Sequence, residues 1–398
     1  MKNAYLPLLF FVALFGGCKP WEGPDQFPHP TPVDPILADP LPLKPSKNVS
    51  VFVTSYKGSL YALDAETGLE QWNTVVGNSP YVNPSVNGET VYSTGKNYSP
   101  NVILHALDRK TGAVKWTVKN ELSFNLSYPF FLTPTLVGET AIVLNGREND
   151  GQGDAFVVAL DALTGQRKWA FPTNLHSDFT VSNGIVYLAS GNLQALSVLT
   201  GSVLWTFKLP LGGFGGMRPA IADGVIYASD GNGKLYAIDG RERKLKWTIG
   251  INGYSEGPPV VNNGIVYIST YEGAIYALDA LTGTQRWSFK TTRLRRGPVV
   301  ADGIVYIGAA SGNVYALDAN TGEQRWLFKS PDDLIPAESQ SSPIIANGVA
   351  YFVSGSSRLY ALNAKTGEQK WVYQTDSKLL SSPCVVDANG TGFNPLPW

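Results

Sequence analysis

Aspartates recur along this 398-residue chain within copies of the pattern Ala-x-Asp-x-x-Thr-Gly-x-x-x-Trp, of which the fifth copy is irregular. The aspartates of the pattern are Asp64, Asp108, Asp161, Asp239, Asp279 and Asp318. Carboxylates that meet in a fold can bind a metal ion or transfer protons. Asp and Thr oxygens can also accept hydrogen bonds from backbone amides in a tight turn, where Gly supplies a positive φ. We interpret these aspartates as turn formers, because catalysis requires one asymmetric set of residues, whereas this set repeats.

Histidines and acidic loops offer little other chemistry. The three histidines are His29, His105 and His176, and their spacing does not match a metal-ligand cluster. The loop 150–154 (DGQGD) is acidic and rich in Gly, so a loose Ca²⁺ site is one interpretation. It lacks the full ligand series of a calcium loop, and we prefer a solvated hairpin loop. We predict no catalytic, cofactor-binding or metal-binding residue, and no enzymatic activity.

The elements that carry the aspartates are predicted to be short strands. Tyr-Ala-Leu-Asp alternates in polarity and predicts one strand, and the next begins near the Trp. Upstream of each copy lies a β-rich segment such as 304–308 (IVYIG), and before it an apolar run such as 297–301 (GPVVA). The two are joined by dipeptides typical of β-hairpins. These are Asn87-Gly88, Asn183-Gly184, Asp223-Gly224, Asn263-Gly264, Asp302-Gly303 and Asn347-Gly348. Each period therefore predicts four antiparallel strands, A to D.

The pattern occurs eight times. Its tryptophans are Trp72, Trp116, Trp169, Trp205, Trp247, Trp287, Trp326 and Trp371. Ser197 and Asn363 replace the aspartate in two copies, and Arg243 replaces the Gly in the fifth. Eight four-stranded units predict an all-β, eight-bladed β-propeller, with a solenoid as the alternative. Closure is favoured because the chain enters at a strand B and ends with a strand A, which completes the first blade.

The N-terminal region is predicted to direct export. An apolar segment, 4–15, follows Lys2 and ends in Phe-Gly-Gly-Cys, which resembles a bacterial lipobox with Phe15 in place of Leu. We predict a signal peptide at 1–17 and lipidation of Cys18, with an ordinary signal peptide or anchor as the alternative. The Pro-rich segment 18–47 is predicted to be an extended tether. The propeller is assigned to 48–390 and a C-terminal tail to 391–398.

The net charge and the cysteine content indicate which kinds of partner the protein could have. The formal net charge is −1, which does not favour a nucleic-acid partner. Cys384 has no partner if Cys18 is acylated, and we predict it to be a small buried residue. We expect a monomer that contacts the membrane through its lipid.

The repeat resembles the tryptophan-docking motif of PQQ-like, quinoprotein-type propellers over about 49–390. The resemblance implies that each Trp packs between adjacent blades. Quinone-dependent dehydrogenases of this family imply a cofactor stacked on an inner Trp, but all eight tryptophans have docking positions and adjacent cysteines are absent. Length, lipobox and tether resemble BamB-like lipoproteins instead. This resemblance implies a non-enzymatic envelope scaffold with protein partners in outer-membrane β-barrel assembly, located at the outer membrane, its side left open. A ligand-sensing or sugar- or peptide-binding propeller is the alternative, and a PQQ-dependent dehydrogenase relative is the third.

One face of the predicted propeller varies and is the candidate binding face. The A–B and C–D turns lie on one face, whereas the D–A and B–C loops lie on the other, and the D–A loops differ widely. Residues just before the strand-A prolines are expected to ring the channel mouth. They are Asn83, Arg218, Glu256, Arg296, Ser342 and Ser382. Phe124 and Tyr128 in a long insertion that extends to Phe130 and Phe131, and the arginines Arg293, Arg295 and Arg296, are further candidate contacts.

Overall fold

Short strands joined by tight turns make up the described part of the protein. The computed structural model describes residues 49–77, 83–96, 102–119, 130–131, 134–146, 154–174, 178–208, 218–230, 232–255, 257–294, 296–309, 312–331, 342–354, 356–379 and 381–392. All of these residues lie in one unit, 44–398. None of them forms a helix. Accordingly, these ranges include no helix with the length and apolar character needed to cross a membrane.

The strands, numbered in chain order, form eight antiparallel sheets, and each sheet is one propeller blade. The first blade contains β1 (Val49–Thr54), β2 (Ser59–Asp64), β3 (Glu70–Val75) and the last strand, β33 (Cys384–Asp387). Blade 2 contains β4 (Ser85–Asn87), β5 (Thr90–Lys96), β6 (Val102–Asp108) and β7 (Val114–Lys119). Blade 3 contains β8 (Phe130–Phe131), β9 (Thr135–Val137), β10 (Thr140–Gly146), β11 (Asp154–Asp161) and β12 (Arg167–Asn174). Blade 4 contains β13 (Asp178–Ser182), β14 (Ile185–Ser190), β15 (Asn192–Ser197) and β16 (Val203–Phe207).

The second half of the chain repeats the same order of strands with little variation. Blade 5 contains β17 (Ala220–Ala222), β18 (Val225–Ser229), β19 (Lys234–Asp239) and β20 (Lys244–Gly250). Blade 6 contains β21 (Val260–Asn262), β22 (Ile265–Ser269), β23 (Ala274–Asp279) and β24 (Gln285–Lys290). Blade 7 contains β25 (Val299–Ala301), β26 (Ile304–Gly308), β27 (Val314–Asp318) and β28 (Gln324–Phe328). Blade 8 contains β29 (Ile344–Ala346), β30 (Val349–Val353), β31 (Arg358–Asn363) and β32 (Gln369–Gln374).

The A–B hairpins show why the dipeptides recur. In blade 7, Ala301 pairs with Ile304, and Asp302 and Gly303 between them both have positive φ, at 49° and 72°. This is the geometry of a type I′ turn, which Asn-Gly and Asp-Gly favour. The prediction at Asn87-Gly88 is wrong by one residue. Asn87 is still paired, with Thr90, so Gly88 and Glu89 form that turn.

Burial follows from the stacking of blades. Strands B and C, such as β22 with all five residues buried, pack against a blade on each side and are apolar on both faces. The outer strand D alternates between exposed and half-buried residues, as in β32. Each sheet therefore contributes its two middle strands to the core and presents its fourth strand at the rim.

Closure of the ring joins the two ends of the propeller. In blade 1, β33 pairs with β1, and Cys384 lies opposite Phe52. The prediction of an eight-bladed propeller closed by a C-terminal strand A is therefore confirmed. Blade 3 differs from the other blades, because two short segments, β8 and β9, occupy its strand-A edge beside β10.

Candidate functional site

The repeated aspartates are engaged in the C–D turns. In blade 6, Oδ1 of Asp279 accepts hydrogen bonds from the backbone N–H groups of Leu281 and Thr282, both at 3.0 Å, and from the Thr282 hydroxyl at 3.1 Å. The Thr282 oxygen in turn accepts the N–H of Thr284 at 3.3 Å. The other Asp oxygen accepts from Arg286 at 2.7 Å. Both carboxylate oxygens are therefore occupied by the turn and its own strand D.

These contacts set the charge state of the turn. Arg286, followed by the Thr282 amide, lowers the pKa of Asp279 to about 2. In blade 7, Arg325 likewise lowers the pKa of Asp318 to about 2. The shift is toward the ionised form, which is the form that accepts hydrogen bonds. The aspartates thus behave as fixed acceptors, whereas a general acid or base needs a pKa near the working pH.

The tryptophans contact the next blade. Trp287 donates its indole N–H to the carbonyl oxygen of Ala319 at 3.0 Å. The same carbonyl accepts the Tyr267 hydroxyl, also at 3.0 Å. Gly322, at a φ of 76°, lies flat against the indole, and a Cβ there would fall 2.7 Å from the ring. One backbone carbonyl thus receives two side chains from the neighbouring blade.

This arrangement recurs around the ring. The other indole bonds to the next blade are Trp72 to Arg109, Trp116 to Ala162, Trp169 to Val198, Trp247 to Ala280, Trp326 to Ala364 and Trp371 to Ala65. Four further strand-B tyrosines share the acceptor in the same way, namely Tyr92, Tyr227, Tyr306 and Tyr351. These tyrosine hydroxyls were not predicted as part of the joint, although most copies have a Tyr at the same place in strand B.

The fifth copy of the repeat differs from the others at the residue that lies against the indole. Arg243 replaces the Gly that lies against an indole elsewhere, and its φ is 58°. Its guanidinium carbon lies 5.9 Å from the ring centroid of Trp205, in a cation–π arrangement. A planar cation thus covers the indole where the other joints use a bare backbone.

Three of the predicted channel-mouth residues, Asn83, Ser342 and Ser382, are connected by hydrogen bonds. The Ser382 amide donates to Oδ1 of Asn83 at 2.7 Å, and the Ser342 amide donates to the Ser382 hydroxyl at 2.9 Å. The Ser342 hydroxyl donates to the carbonyl of Gly297 at 3.1 Å. These bonds connect the starts of the strand-A segments of blades 2, 1, 8 and 7. The residues form a hydrogen-bonded belt, and part of their polar capacity is used within it.

The arginines of the variable face occupy different surroundings. Arg218 forms an ion pair with Asp178 at 3.4 Å, and the backbone carbonyl of Arg296 accepts the Ser269 hydroxyl at 3.0 Å. Neither arginine joins the serine belt through these bonds. The predicted channel-mouth residues therefore fall into two groups. Asn83, Ser342 and Ser382 are joined by hydrogen bonds, whereas Arg218 and Arg296 make other contacts.

Arg293 belongs to an aromatic cluster on the variable face. Its guanidinium carbon lies 5.0 Å from the Tyr271 ring centroid. Tyr271 stacks on the exposed Tyr254, with centroids 5.1 Å apart. The cluster presents a cation beside two stacked rings, which is a combination common at protein interfaces.

A family model described as outer membrane protein assembly factor BamB matches residues 32–184, 189–295 and 290–388. The chain belongs to this family. An outer membrane protein assembly factor BamB from Moranella endobia (strain PCIT) is 29% identical over 182 residues, which cover 42% of this chain and 43% of the relative. The chain spans about two fifths of the length of the curated relatives it matches.

Solved structures share the fold of this BamB-family chain. BamB from Moraxella catarrhalis superposes with a TM-score of 0.59 at 20% identity, covering 81% of this chain and 93% of that one. The quinohemoprotein alcohol dehydrogenase ADHIIG from Pseudomonas putida HK5 gives a TM-score of 0.50 at 17% identity, covering 86% and 69%. At these identities the likeness shows the fold alone.

Several other candidate residues of this BamB-family chain cannot be placed in the structure. Cys18, Phe124, Tyr128, Glu256 and Arg295 lie outside the described residues. The strand β8 includes Phe130 and Phe131, and the loop 150–153 is also outside the described ranges. Within those ranges, no three His, Cys, Asp or Glu residues are grouped so that they could hold a metal ion.

Two titratable residues, the buried Cys384 and the half-buried His105, have pKa values shifted by their surroundings. Cys384 has a free thiol and is buried in β33, where burial raises its pKa. His105 occupies the place of the repeat Tyr in strand C of blade 2, and burial lowers its pKa. Both groups are therefore held in their neutral forms by their surroundings.

Proposed function

We propose that this protein is a non-enzymatic binding scaffold of the cell envelope that acts in the assembly of outer-membrane β-barrel proteins. The observation that carries the proposal is the family match, whose segments lie between residues 32 and 388 and include residues of all eight blades. Variable loops on a rigid ring of repeated joints suit a scaffold, because binding residues can change without loss of the fold. The proposed partners follow from the role of the relatives, which are outer membrane protein assembly factors.

A lipid anchor is part of the proposal. The signal peptide is assigned to 1–17, the lipidated Cys18 with its tether to 18–47, the propeller to 48–390 and the tail to 391–398. The sequence around Cys18 supports acylation, and the Pro-rich segment after it supports a water-exposed domain held away from the bilayer. We place the protein at the outer membrane, as a monomer with protein partners of the envelope.

Absence of enzymatic activity is supported by how the repeat residues are used. The carboxylates Asp279 and Asp318 are bonded in turns, and their lowered pKa values keep them ionised. Seven of the eight repeat indoles donate to the next blade, and the eighth, Trp205, lies beneath Arg243. These joints use the tryptophans that would otherwise be candidates to stack on a quinone.

The proposal is tested by crosslinking the tagged full-length protein in intact cells and recovering it from membranes. We expect barrel-assembly components to be recovered with the wild type. Labelled palmitate should be incorporated by the wild type and lost in Cys18→Ala, with release of that variant from the membrane fraction. Recovery of no assembly component would contradict the assembly role. Quinone absorbance with dye reduction after addition of PQQ and Ca²⁺ would contradict the non-enzymatic role.

A further inference from the structure

Strand C of blade 2 contains a histidine at a place where five other blades have a tyrosine. His105 in β6 pairs with Ser93 in β5, whereas the same two places in blade 6 hold Tyr276 and Ile268. In every other blade the residue opposite this place is apolar. The tyrosines are Tyr61, Tyr236, Tyr276, Tyr315 and Tyr360. Blade 2 therefore has an imidazole and a hydroxyl at a level of the sheet that most blades fill with aromatic and aliphatic groups.

The side chains of His105 and Ser93 face blade 1. The residues two positions away on the same strands, Leu107 and Val91, pack in one apolar cluster with Phe52 of blade 1. Side chains two residues apart on a strand point to the same face, so His105 and Ser93 lie at the interface of blades 1 and 2. The same cluster includes residues of β33, the strand that closes the ring. The imidazole is therefore placed at the interface that helps to hold the closing strand.

Several polar atoms of this interface are buried without a partner. Within the described ranges, both ring nitrogens of His105 and the hydroxyl of Ser93 are buried and make no hydrogen bond. Thr54 lies two residues after Phe52 on β1, so it faces the same interface, and its buried hydroxyl is also unbonded. Buried polar groups are nearly always bonded, so an unbonded group needs an explanation. Here four such atoms, from three side chains, lie in one interface.

Backbone closes the space beside the imidazole. Gly95 lies on the same face of β5 as Ser93, and a Cβ there would fall 1.6 Å from the carbonyl oxygen of Val76, the residue after β3 in blade 1. The two blades are thus in direct backbone contact next to His105. Burial lowers the pKa of His105, and the Val76 carbonyl opposes this effect only in part. The imidazole is therefore neutral in the closed ring at pH 7.

The acidic residues of blades 1 and 2 are placed away from His105. Within the described ranges they all lie in or beside the A–B and C–D turns, whereas His105 lies in the middle of β6. They are Asp64, Glu66, Glu70, Glu89, Asp108 and Asp387. Protonation of the imidazole would therefore leave a positive charge in the interface that no neighbouring carboxylate of these two blades balances.

The other titratable groups of the two blades supply no negative charge. Cys384 has a neutral thiol, because burial raises its pKa. Arg109 is a cation on the same face of blade 2 as His105, and its guanidinium donates to two backbone carbonyls at and after the end of β33. The remaining titratable side chains of these strands are tyrosines that face blades 8 and 3, and lysines. They are Tyr61, Tyr92, Lys96, Lys115 and Lys119.

We propose that His105 is a pH-sensitive element of ring closure, whose protonation loosens the interface between blades 1 and 2 and frees the closing strand β33. Blade 1 is the place where such loosening opens the ring, because its strand A comes from the C-terminal end of the chain. An unfolded or opened chain binds a proton at this histidine below about pH 6.5, and the closed ring binds it less readily. The stabilisation of the closed ring by the neutral imidazole is therefore complete above about pH 6.5 and is lost as the pH falls below it.

Native-state hydrogen exchange of the full-length protein measures this opening. Exchange at 384–387 in β33 is compared with exchange at 265–269 in β22, at pH 7.5 and pH 5.5, after correction for the intrinsic rate at each pH. An ordinary histidine can change the opening constant by about tenfold between these two pH values. We expect protection at 384–387 to fall threefold to tenfold at pH 5.5, with a change below twofold at 265–269. A loss below threefold at 384–387, or an equal loss at 265–269, would overturn the proposal.

Variants of two histidines assign the effect to one side chain. His105→Gln introduces the residue that blade 4 has at this place, and His105→Tyr introduces the residue of most blades. Either should remove the pH-dependent loss of protection in β33. His176→Gln, which removes another histidine, is the matched control and should retain the loss. Melting temperatures at pH 7.5 show which variants are folded, and the second substitution serves if the first does not fold. Retention of the loss in a folded variant at His105 would contradict the proposal.

The titration of the imidazole is observed directly by NMR of protein labelled with carbon-13 in the histidine rings. The signal of His105 is identified by its absence from a folded variant at that residue. We expect its titration midpoint to lie below the ordinary histidine pKa of about 6.5, and a midpoint at or above that value would contradict the proposal. These measurements involve no membrane and no assembly component. Their failure would leave the proposed function as it stands, and failure of the crosslinking experiment would leave the role of His105 as it stands.

Discussion

Blades 6 and 4 share one strand order but contact the next blade through different chemistry. After blade 6, Trp287 donates to Ala319, and Gly322 lies against the indole. After blade 4, the guanidinium of Arg243 lies over Trp205. Both solutions cover the indole with a flat group, one of them backbone and the other a planar cation. The comparison shows that the indole at a joint can be covered either by backbone at a Gly or by the guanidinium of an Arg.

The largest expected effect comes from adding a methyl group to the regular joint. Gly322→Ala should lower the free energy of unfolding by about 3 kcal/mol, because strain at positive φ adds to a clash with Trp287. Gly303→Ala is the matched control, since its φ is 72° and a Cβ there meets nothing within 4 Å. We expect about 1 kcal/mol from strain alone in the control. Urea unfolding of the three proteins measures the difference, and equal losses would show that the indole contact contributes nothing.

The irregular joint should respond much less to a change at the same place in the repeat. Arg243→Gly removes a non-Gly residue from a φ of 58° and also removes the cation over Trp205. Strain relief of about 1 kcal/mol and loss of a cation–π contact of about 0.5–1 kcal/mol should nearly cancel. A change larger than about 2 kcal/mol in either direction would show that the two joints are not equivalent solutions.

The effect expected from the shared carbonyl is smaller than that of Gly322→Ala. Tyr267→Phe removes one of two hydrogen bonds to Ala319 and should lower the free energy of unfolding by about 1 kcal/mol. Trp287 continues to bond the carbonyl, so the acceptor stays partnered and the loss stays near the ordinary value of one bond. Tyr187→Phe, at the corresponding place in blade 4, is the comparison, and thermal unfolding of both variants checks it. A loss at Tyr267 no larger than at Tyr187 would contradict the role of the shared acceptor.

The fold could be predicted from the repeat residues, whereas most contacts between repeats could not. Ala, Asp, Gly and Trp recur in order, so blade number, strand order and closure followed from the chain alone. The role of Arg243 could not be predicted in this way, because the indole that it covers, Trp205, belongs to the preceding blade. Likewise, Asn83 was expected at the channel mouth, but its bond to Ser382 depends on closure of a ring between residues far apart in sequence. A local sequence pattern does not indicate which residues far apart in the chain contact each other.

The turn carboxylate should give a pH-dependent effect. Because its pKa is lowered to about 2, ionised Asp279 stabilises the fold above pH about 4, and this contribution is lost as the pH falls through about 2. We expect Asp279→Asn to melt a few degrees below the wild type at pH 7 and to approach it near pH 2. Arg286→Gln should narrow the same difference, since Arg286 is the main cause of the shift. A melting difference that stays constant from pH 7 to pH 2 would exclude this linkage.

A small effect is also expected from adding to blade 4 the ion pair that blades 2, 3, 5, 6 and 7 form between the turn aspartate and the cation before the Trp. Ser197→Asp/Leu204→Lys should change the free energy of unfolding by at most about 0.5 kcal/mol, because exposed ion pairs contribute little. Chemical unfolding of the double variant and the wild type measures it. A small change would show that blade 4 is equally stable with and without this ion pair, so Leu204, which is 48% exposed, contributes little to stability. A loss of several kcal/mol would show instead that Leu204 is part of the packing of blade 4.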